Sequence, residues 1–137
     1  MRAVLDPNVI ISATLSPGGS PARAFRLWFE GAFELVCSPL LLGELAKALT
    51  YPKLRKHIDT DEADELLELL RRGGLLVEDP ETQPAISSSD PKDDYLIALA
   101  EKSRSVLVSG DGDLLELSEQ IPVYSPREFL DLLQDSD

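Results

Sequence analysis

The sequence predicts an α/β protein, a three-layer α/β/α sandwich with a central parallel sheet. Short apolar runs of strand length alternate with segments of helical periodicity, which is typical of βαβ units. Strands separated by helices pair in parallel through right-handed crossovers. Asp6 directly follows one of the apolar runs and Asp111 stands just past another, and open α/β sheets bind ligands beyond the carboxyl ends of their strands.

In the first half of the chain, two helix starts are marked by Ser-Pro dipeptides. Those at 20–21 and 38–39 each place a capping residue before a proline, which is favoured at the first helical position. Gly31 ends the first of these helices, and a Tyr-Pro dipeptide at 51–52 ends the second. The predicted elements are a strand at 2–5, a helix from 20 that stops near 31, a strand at 33–37 and a helix from 38 to about 49.

In the second half, a helix begins at Thr60 with acidic residues in its first turn, where the helix dipole favours them. Arg71 and Arg72 close it before two glycines. The stretch 78–89 is rich in Pro, Ser and other polar residues and is typical of a loop. The remaining predicted elements are a strand at 75–77, a helix at 91–102, a strand at 105–108, one or two helical turns at 113–117, a strand at 122–124 and a helix from 126 to 133.

Four acidic residues stand in otherwise apolar surroundings. Asp6 and Asp111 sit where strands end, and Glu44 and Asp94 lie within apolar helical faces. Losing the hydration of an isolated carboxylate costs several kcal/mol unless a cation or hydrogen bonds replace it. Four such residues on four elements therefore indicate one shared cation.

The acidic residues next to these positions allow more than one interpretation. Asp90 precedes Pro91 at a helix start, and an N-cap is the better interpretation for it. Asp93 is adjacent to Asp94 but points about 100° away around a helix. Asp113 either caps the following helix or joins the site through water.

Oxygen ligands without histidine or cysteine suit a hard cation, Mg²⁺ or Mn²⁺. Such an ion lowers the pKa of its bound water and neutralises charge on phosphate oxygens, so the expected chemistry is phosphoryl transfer or phosphodiester hydrolysis. The sequence offers few residues for other kinds of catalysis. The single histidine, His57, lies in a charged string, Cys37 has no evident histidine partner, and phosphate-binding glycine motifs are absent.

Length and composition predict a single domain at 1–137, with 43% hydrophobic residues to form its core. The lone Cys37 cannot form an intramolecular disulfide. No stretch approaches the ~20 apolar residues of a membrane span, and the start lacks the apolar region of a secretion signal. We therefore expect a cytoplasmic protein without membrane contact.

The net charge of −12 argues at first sight against a nucleic-acid partner. The charge is unevenly distributed, however, because no acidic residue lies between Glu44 and Asp59. The basic segment in that interval contains Lys47, Lys53, Arg55 and Lys56. This segment is either a solvated helix end or a surface that contacts phosphates.

The acidic strings follow the order and spacing of a known family. The segments VLDPNVIISA, SPLLLGELAKAL, DPKDDYLIALA and VLVSGDGDLL resemble the successive motifs of PIN domains, and the resemblance runs from about residue 2 to residue 124. It is greatest for stand-alone prokaryotic PIN proteins described as toxins. PIN domains are Mg²⁺- or Mn²⁺-dependent ribonucleases that often dimerise. The resemblance thus implies a metal-dependent endoribonuclease with an RNA substrate, an antitoxin partner and a homodimeric state.

Carried over by position, the resemblance assigns the catalytic and metal-binding acidic residues to Asp6, Glu44, Asp94 and Asp111. Asp93 and Asp113 match further acidic positions of this branch, and Asn8 and Ser109 match polar residues that support the cluster by hydrogen bonding. Pro7 is a departure, because threonine or serine is usual there and the missing hydroxyl removes a hydrogen bond near the metal.

Two other functions compete with the ribonuclease. A catalytically silent module would keep the PIN fold for RNA or protein contacts, and the acidic surface together with Pro7 favours it, whereas the intact carboxylates argue against it. A Mg²⁺-dependent phosphatase would use Asp6 as a nucleophile. Such enzymes want a second aspartate two residues on, where this chain has Asn8.

Overall fold

The computed structural model describes residues 1–135 and contains one five-stranded parallel sheet flanked by helices. Residues 136 and 137, the end of the predicted 1–137 domain, lie outside the described residues. The strands are β1 (Arg2–Leu5), β2 (Glu34–Cys37), β3 (Leu75–Leu76), β4 (Val106–Val108) and β5 (Val123–Tyr124). All their pairings are parallel, which confirms the predicted sandwich.

The helices agree with most of the predicted ones in place and length. They are α1 (Pro7–Leu15), α2 (Ser20–Phe29), α3 (Pro39–Ala48), α4 (Pro52–Arg55), α5 (Thr60–Gly73), α6 (Asp94–Ser103), α7 (Gly112–Leu115) and α8 (Pro126–Asp135), with a short 3₁₀ helix at Pro91–Asp93 before α6. The Ser-Pro signal at 38–39 works as expected, because the Ser38 side chain accepts a hydrogen bond from the Leu41 amide.

Strand order fixes where a ligand can bind. The sheet runs β3-β2-β1-β4-β5, so the chain moves outward from β1 in one direction and then resumes on the other side of β1. The switch point therefore lies between β1 and β4, where Leu5 pairs with Val108. Asp6 and Ser109 follow these two residues directly, at the carboxyl edge of the sheet.

The hydrophobic core packs closely against the strands that end at the carboxyl edge of the sheet. Ala3, Val4 and Leu5 of β1 are 0% exposed, and α6 packs against both β1 and β4. On the same apolar cluster, Phe33 and Phe129 meet edge to face, with ring centroids 4.9 Å apart. The strand ends that carry the acidic residues are thus anchored by close packing.

The helix α1 was not expected from the sequence. Its three consecutive β-branched residues, Val9, Ile10 and Ile11, favour a strand on local preference. The structure gives a helix because Asp6 caps it through the Asn8 amide and Pro7 takes the first helical position, where no N–H is needed. The four-residue α4 was likewise not predicted.

No helix within residues 1–135 is long and apolar enough to cross a membrane.

Candidate functional site

Asp6 is the most deeply placed acidic residue at the carboxyl edge, with 5% of its surface exposed. Its carboxylate accepts two hydrogen bonds, from the Asn8 main-chain N–H to Oδ1 (3.0 Å) and from the Ser109 hydroxyl to Oδ2 (2.8 Å). Burial raises the pKa of Asp6, the two hydrogen bonds oppose that rise, and the charge of Asp111 adds to it. Asn8 thus supports Asp6 with its backbone.

Ser109 joins the two strand-end aspartates. Its buried Oγ donates to Asp6 and accepts from the Asp111 N–H at 3.0 Å, so one hydroxyl contacts both residues. The Asp111 Oδ1 in turn accepts the Asp113 N–H at 3.0 Å, which caps α7. The backbone of Ser109 is itself fixed, because its N–H donates to the Tyr124 carbonyl of β5.

Asp93 faces these two carboxylates from the start of α6. It is the N-cap residue of that helix, yet its side chain makes no capping hydrogen bond. Its Oδ2 is buried and has no hydrogen-bond partner in the described part of the chain. Burial raises the pKa of Asp93 to about 7, and a hydrogen bond that the protonated group can give to Asp111, with the charges of Asp111, Asp6 and Asp90, adds to the rise.

Asp94 is directed elsewhere. Its Oδ1 accepts the N–H of Ser88 at 2.8 Å, so the carboxylate is bonded to the loop that precedes the helix. The structure thus brings Asp93 together with Asp6 and Asp111 and directs the Asp94 carboxylate to Ser88. The assignment of Asp94 as the third acidic residue of the site stays a prediction.

The charge of Glu44 acts on the Tyr95 phenol, as do the charges of the aspartates at the sheet edge. Burial raises the pKa of Tyr95, and the charges of Asp6, Glu44, Asp93 and Asp79 raise it further, so these carboxylates lie near one hydroxyl. Glu44 itself is exposed on α3. Tyr95 was not singled out from the sequence, although it directly follows the aspartate pair in DPKDDYL.

Asp79 is a second residue that sequence reasoning missed. Its Oδ2 accepts the Leu40 N–H at 2.9 Å, which satisfies a free amide at the start of α3, and its Oδ1 is buried without a hydrogen-bond partner in the described residues. It lies three residues beyond the end of β3, whereas Asp6 directly follows β1. The available signal was the pair of acidic residues at 78–79, directly after the weak strand at 75–77.

The basic segment is solvent-accessible, as a phosphate-contacting surface requires. Lys47, near the end of α3, and Lys53 and Lys56, in and after α4, are exposed. Arg55 is partly buried and donates to the Thr60 hydroxyl at 2.9 Å. Lys47 lies three residues after Glu44, which places it on a neighbouring part of the α3 surface.

The donor set at the edge fits a hard cation. Asp6, Asp93 and Asp111 offer carboxylate oxygens only, and the buried Oδ2 of Asp93 lacks a donor. Within residues 1–135 no group of three His, Cys, Asp or Glu side chains is placed so that it could hold a metal ion. The raised pKa values of Asp6 and Asp93 show the repulsion and desolvation that a bound cation would relieve.

This combination of fold and site defines a class: α/β proteins with a carboxylate cluster at the switch point of a parallel sheet. Residues 2–113 match the sequence profile of the PIN domain. The chain belongs to the PIN domain family.

Two similar proteins match almost the whole chain. The chain is 28% identical over 143 residues to the uncharacterized protein MJ1680 of Methanocaldococcus jannaschii, covering 96% of this chain and 90% of that one. Among solved structures it is similar to the PilT N-terminus domain protein SSO1118 of Sulfolobus solfataricus P2 (TM-score 0.58, 17% identity, 97% of this chain and 93% of that chain).

Two further solved structures give the same result. VapBC2 of Rickettsia felis, bound to a DNA fragment from its promoter, superposes with a TM-score of 0.62 at 12% identity, covering 91% of this chain and 98% of that chain. PAE2754 of Pyrobaculum aerophilum gives 0.62 at 17% identity, covering 98% of this chain and 89% of that chain. These likenesses show the fold.

Proposed function

We propose that the protein is a Mg²⁺- or Mn²⁺-dependent endoribonuclease whose ion is held by Asp6, Asp93 and Asp111. The observation that carries this proposal is the convergence of three carboxylates at the sheet's switch point, with a buried Asp93 oxygen that has no donor in residues 1–135. Membership of the PIN domain family supports it, since PIN domains are generally metal-dependent nucleases.

In this proposal each residue has a defined task. A bound divalent ion would lower the pKa of a coordinated water and neutralise charge on the scissile phosphate. Ser109 keeps Asp6 and Asp111 in fixed orientations through its single buried hydroxyl. Glu44 and Asp113 lie on the flanking elements α3 and α7, and we propose that they complete the acidic rim.

A nucleophilic thiol is a poor alternative in this structure. Cys37 is 0% exposed at the end of β2, and burial raises the pKa of its thiol to about 12. It would therefore be protonated and inaccessible at neutral pH.

We propose that RNA phosphates are bound by the basic segment Lys47, Lys53, Arg55 and Lys56. Their exposure and the absence of acidic residues from 45 to 58 favour contact with a polyanion despite the net charge of −12. We further propose that the protein acts in the cytoplasm as a homodimeric toxin with an antitoxin partner. The fold likeness to VapBC2 supports this role.

The test is cleavage of labelled RNA with Mg²⁺ or Mn²⁺ and with a chelator. We expect cleavage that requires the ion. Asp6→Asn and Asp93→Asn each remove a ligand charge with little change of shape. Loss of a group that only orients a ligand lowers activity about 10- to 100-fold. The loss of cleavage activity in each of these two variants should be larger than that.

The control is Asp61→Asn, an exposed aspartate in the first turn of α5 that should leave cleavage nearly unchanged. An equal loss in Asp61→Asn and Asp6→Asn would mean that the site is misplaced. RNA binding without cleavage under any metal condition would instead favour a catalytically silent PIN module.

A further inference from the structure

The segment that leads into α6 closes on itself through side-chain hydrogen bonds. The Ser88 N–H donates to Asp94 Oδ1 at 2.8 Å, which joins the end of the loop to the first residue of the helix. Inside this closure the Asp90 N–H donates to Ser88 Oγ, and the Lys92 N–H donates to Asp90 Oδ1, both at 3.1 Å. Residues 88–94 therefore form a compact loop, and Asp94 supplies the bond that closes it.

This closed loop determines where Asp93 points. Asp93 lies within it, at the junction between the 3₁₀ helix and α6, and its N–H donates to the Asp90 carbonyl at 3.0 Å. Since its own side chain caps nothing, the direction of its carboxylate depends on how the surrounding backbone is held. The Asp94–Ser88 bond fixes that backbone on the side of the preceding loop.

A second contact ties the same loop to the neighbouring element of the site. The Ser89 hydroxyl donates to Glu116 Oε1 at 2.6 Å, immediately after α7, and α7 begins at its N-cap, Asp111. The loop thus lies between the element that carries Asp93 and the element that carries Asp111. A change in this loop should therefore shift the Asp93 carboxylate relative to the Asp111 carboxylate.

We propose that Asp94 is a positioning residue and not a metal ligand: by accepting the Ser88 N–H, it holds the start of α6 so that Asp93 faces Asp6 and Asp111. This inference rests on the proposed metal site, and it divides the adjacent aspartates into one that binds the ion and one that orients its neighbour. From the sequence motif alone, Asp93 and Asp94 are equivalent carboxylates and their roles cannot be told apart.

The experiment is calorimetric titration of the folded protein with Mn²⁺, which does not depend on nuclease activity. Asp94→Asn keeps an oxygen that accepts the Ser88 N–H but loses the charge, so we expect affinity near that of the parent protein. Asp94→Ala removes the acceptor, and the affinity should fall about 10- to 100-fold, as for other groups that orient a ligand. Asp93→Asn should abolish binding.

Guanidinium unfolding of each variant shows whether it is folded at the temperature of the titration. If Asp94→Ala is not folded, the comparison of Asp94→Asn with Asp93→Asn still decides. Equal losses in Asp94→Asn and Asp93→Asn would make Asp94 a ligand and overturn the inference. Parental affinity in a folded Asp94→Ala variant would also overturn it. Absence of Mn²⁺ binding by the parent protein is a separate result, which would overturn the proposed function and this inference together.

Discussion

At the scale of single residues, the site depends on a hydroxyl as much as on its carboxylates. Ser109 is 0% exposed and contacts Asp6 through its hydrogen and the Asp111 N–H through its oxygen. A buried carboxylate oxygen that loses its donor keeps its desolvation cost without compensation. The orientation of Asp6 and part of the stability of the edge should therefore depend on this one side chain.

We predict that Ser109→Ala lowers the free energy of unfolding by about 1–3 kcal/mol, the cost of leaving a buried polar group unsatisfied. It should also weaken Mn²⁺ binding, because Asp6 loses a bond that fixes its direction. Guanidinium unfolding and calorimetric titration measure the two effects.

The matched control is Ser103→Ala. The Ser103 hydroxyl is also buried and donates to the Leu99 carbonyl at 2.7 Å, but it lies at the far end of α6. Ser103→Ala should lower the free energy of unfolding by a comparable amount and leave the Mn²⁺ affinity unchanged. Equal losses of affinity in the two variants would show that Ser109 acts only through general stability.

At the scale of secondary-structure elements, sequence rules located most strands and helices but not the direction of every side chain. Asp6 and Asp111 were placed correctly at strand ends, because a parallel sheet collects its carboxyl ends on one edge. A helical wheel could not show which of the two aspartates at 93 and 94 faces the site. The predicted α-helix began at residue 91, but Pro91–Asp93 is a 3₁₀ helix. Successive side chains in a 3₁₀ helix are rotated by a different angle from those in an α-helix.

The missed helix α1 has a related cause. Local preference favoured a strand in the run of β-branched residues, but the Asp6 cap and contacts with α2 and α3 override it. Asp79 and Tyr95 depend on tertiary packing, and only the folded chain brings them to the edge of the site.

The element α4 gives a prediction about substrate binding. Lys53→Glu reverses one exposed charge of the basic segment. It should weaken RNA binding and reduce the dependence of log affinity on log salt by about one unit per lost phosphate contact. Mn²⁺ affinity should be unaffected, since Lys53 is not a ligand. Fluorescence anisotropy over a range of salt concentrations measures both the affinity and its slope.

The control for this prediction is Arg104→Glu. Arg104 is exposed and lies just before β4, at the amino edge of the sheet, opposite the candidate site. It changes the net charge by the same amount, so it accounts for the effect of total charge on RNA affinity. If the two variants lose affinity equally, the basic segment is only a solvated helix end.

At the scale of the whole molecule, the site should make stability depend on pH. The pKa of Asp93 is raised to about 7 in the folded protein, and an unfolded aspartate ionises near its ordinary value of 3.8. Between these values the folded state retains a proton that the unfolded state has lost. The contribution of Asp93 to stability is therefore fully present below about pH 4 and is lost as the pH rises towards 7.

We predict that, in the presence of a chelator, Asp93→Asn gains stability relative to the parent protein as the pH rises from about 5 to 8. The neutral amide has no proton to lose, so it avoids the repulsion from Asp6 and Asp111 that the parent protein acquires. Adding Mn²⁺ should raise the melting temperature of the parent protein more at pH 8 than at pH 5, because the ion must displace the Asp93 proton at the lower pH. Melting temperatures at several pH values, with and without the ion, measure these effects.

Asp61→Asn is the reference variant, since this exposed aspartate should give a melting profile parallel to that of the parent protein. The profile of Asp93→Asn should diverge from both of them above about pH 5. If all three profiles run parallel, Asp93 does not retain a proton in the folded state. A melting temperature that Mn²⁺ leaves unchanged at pH 8 would count against a metal site at this edge of the sheet.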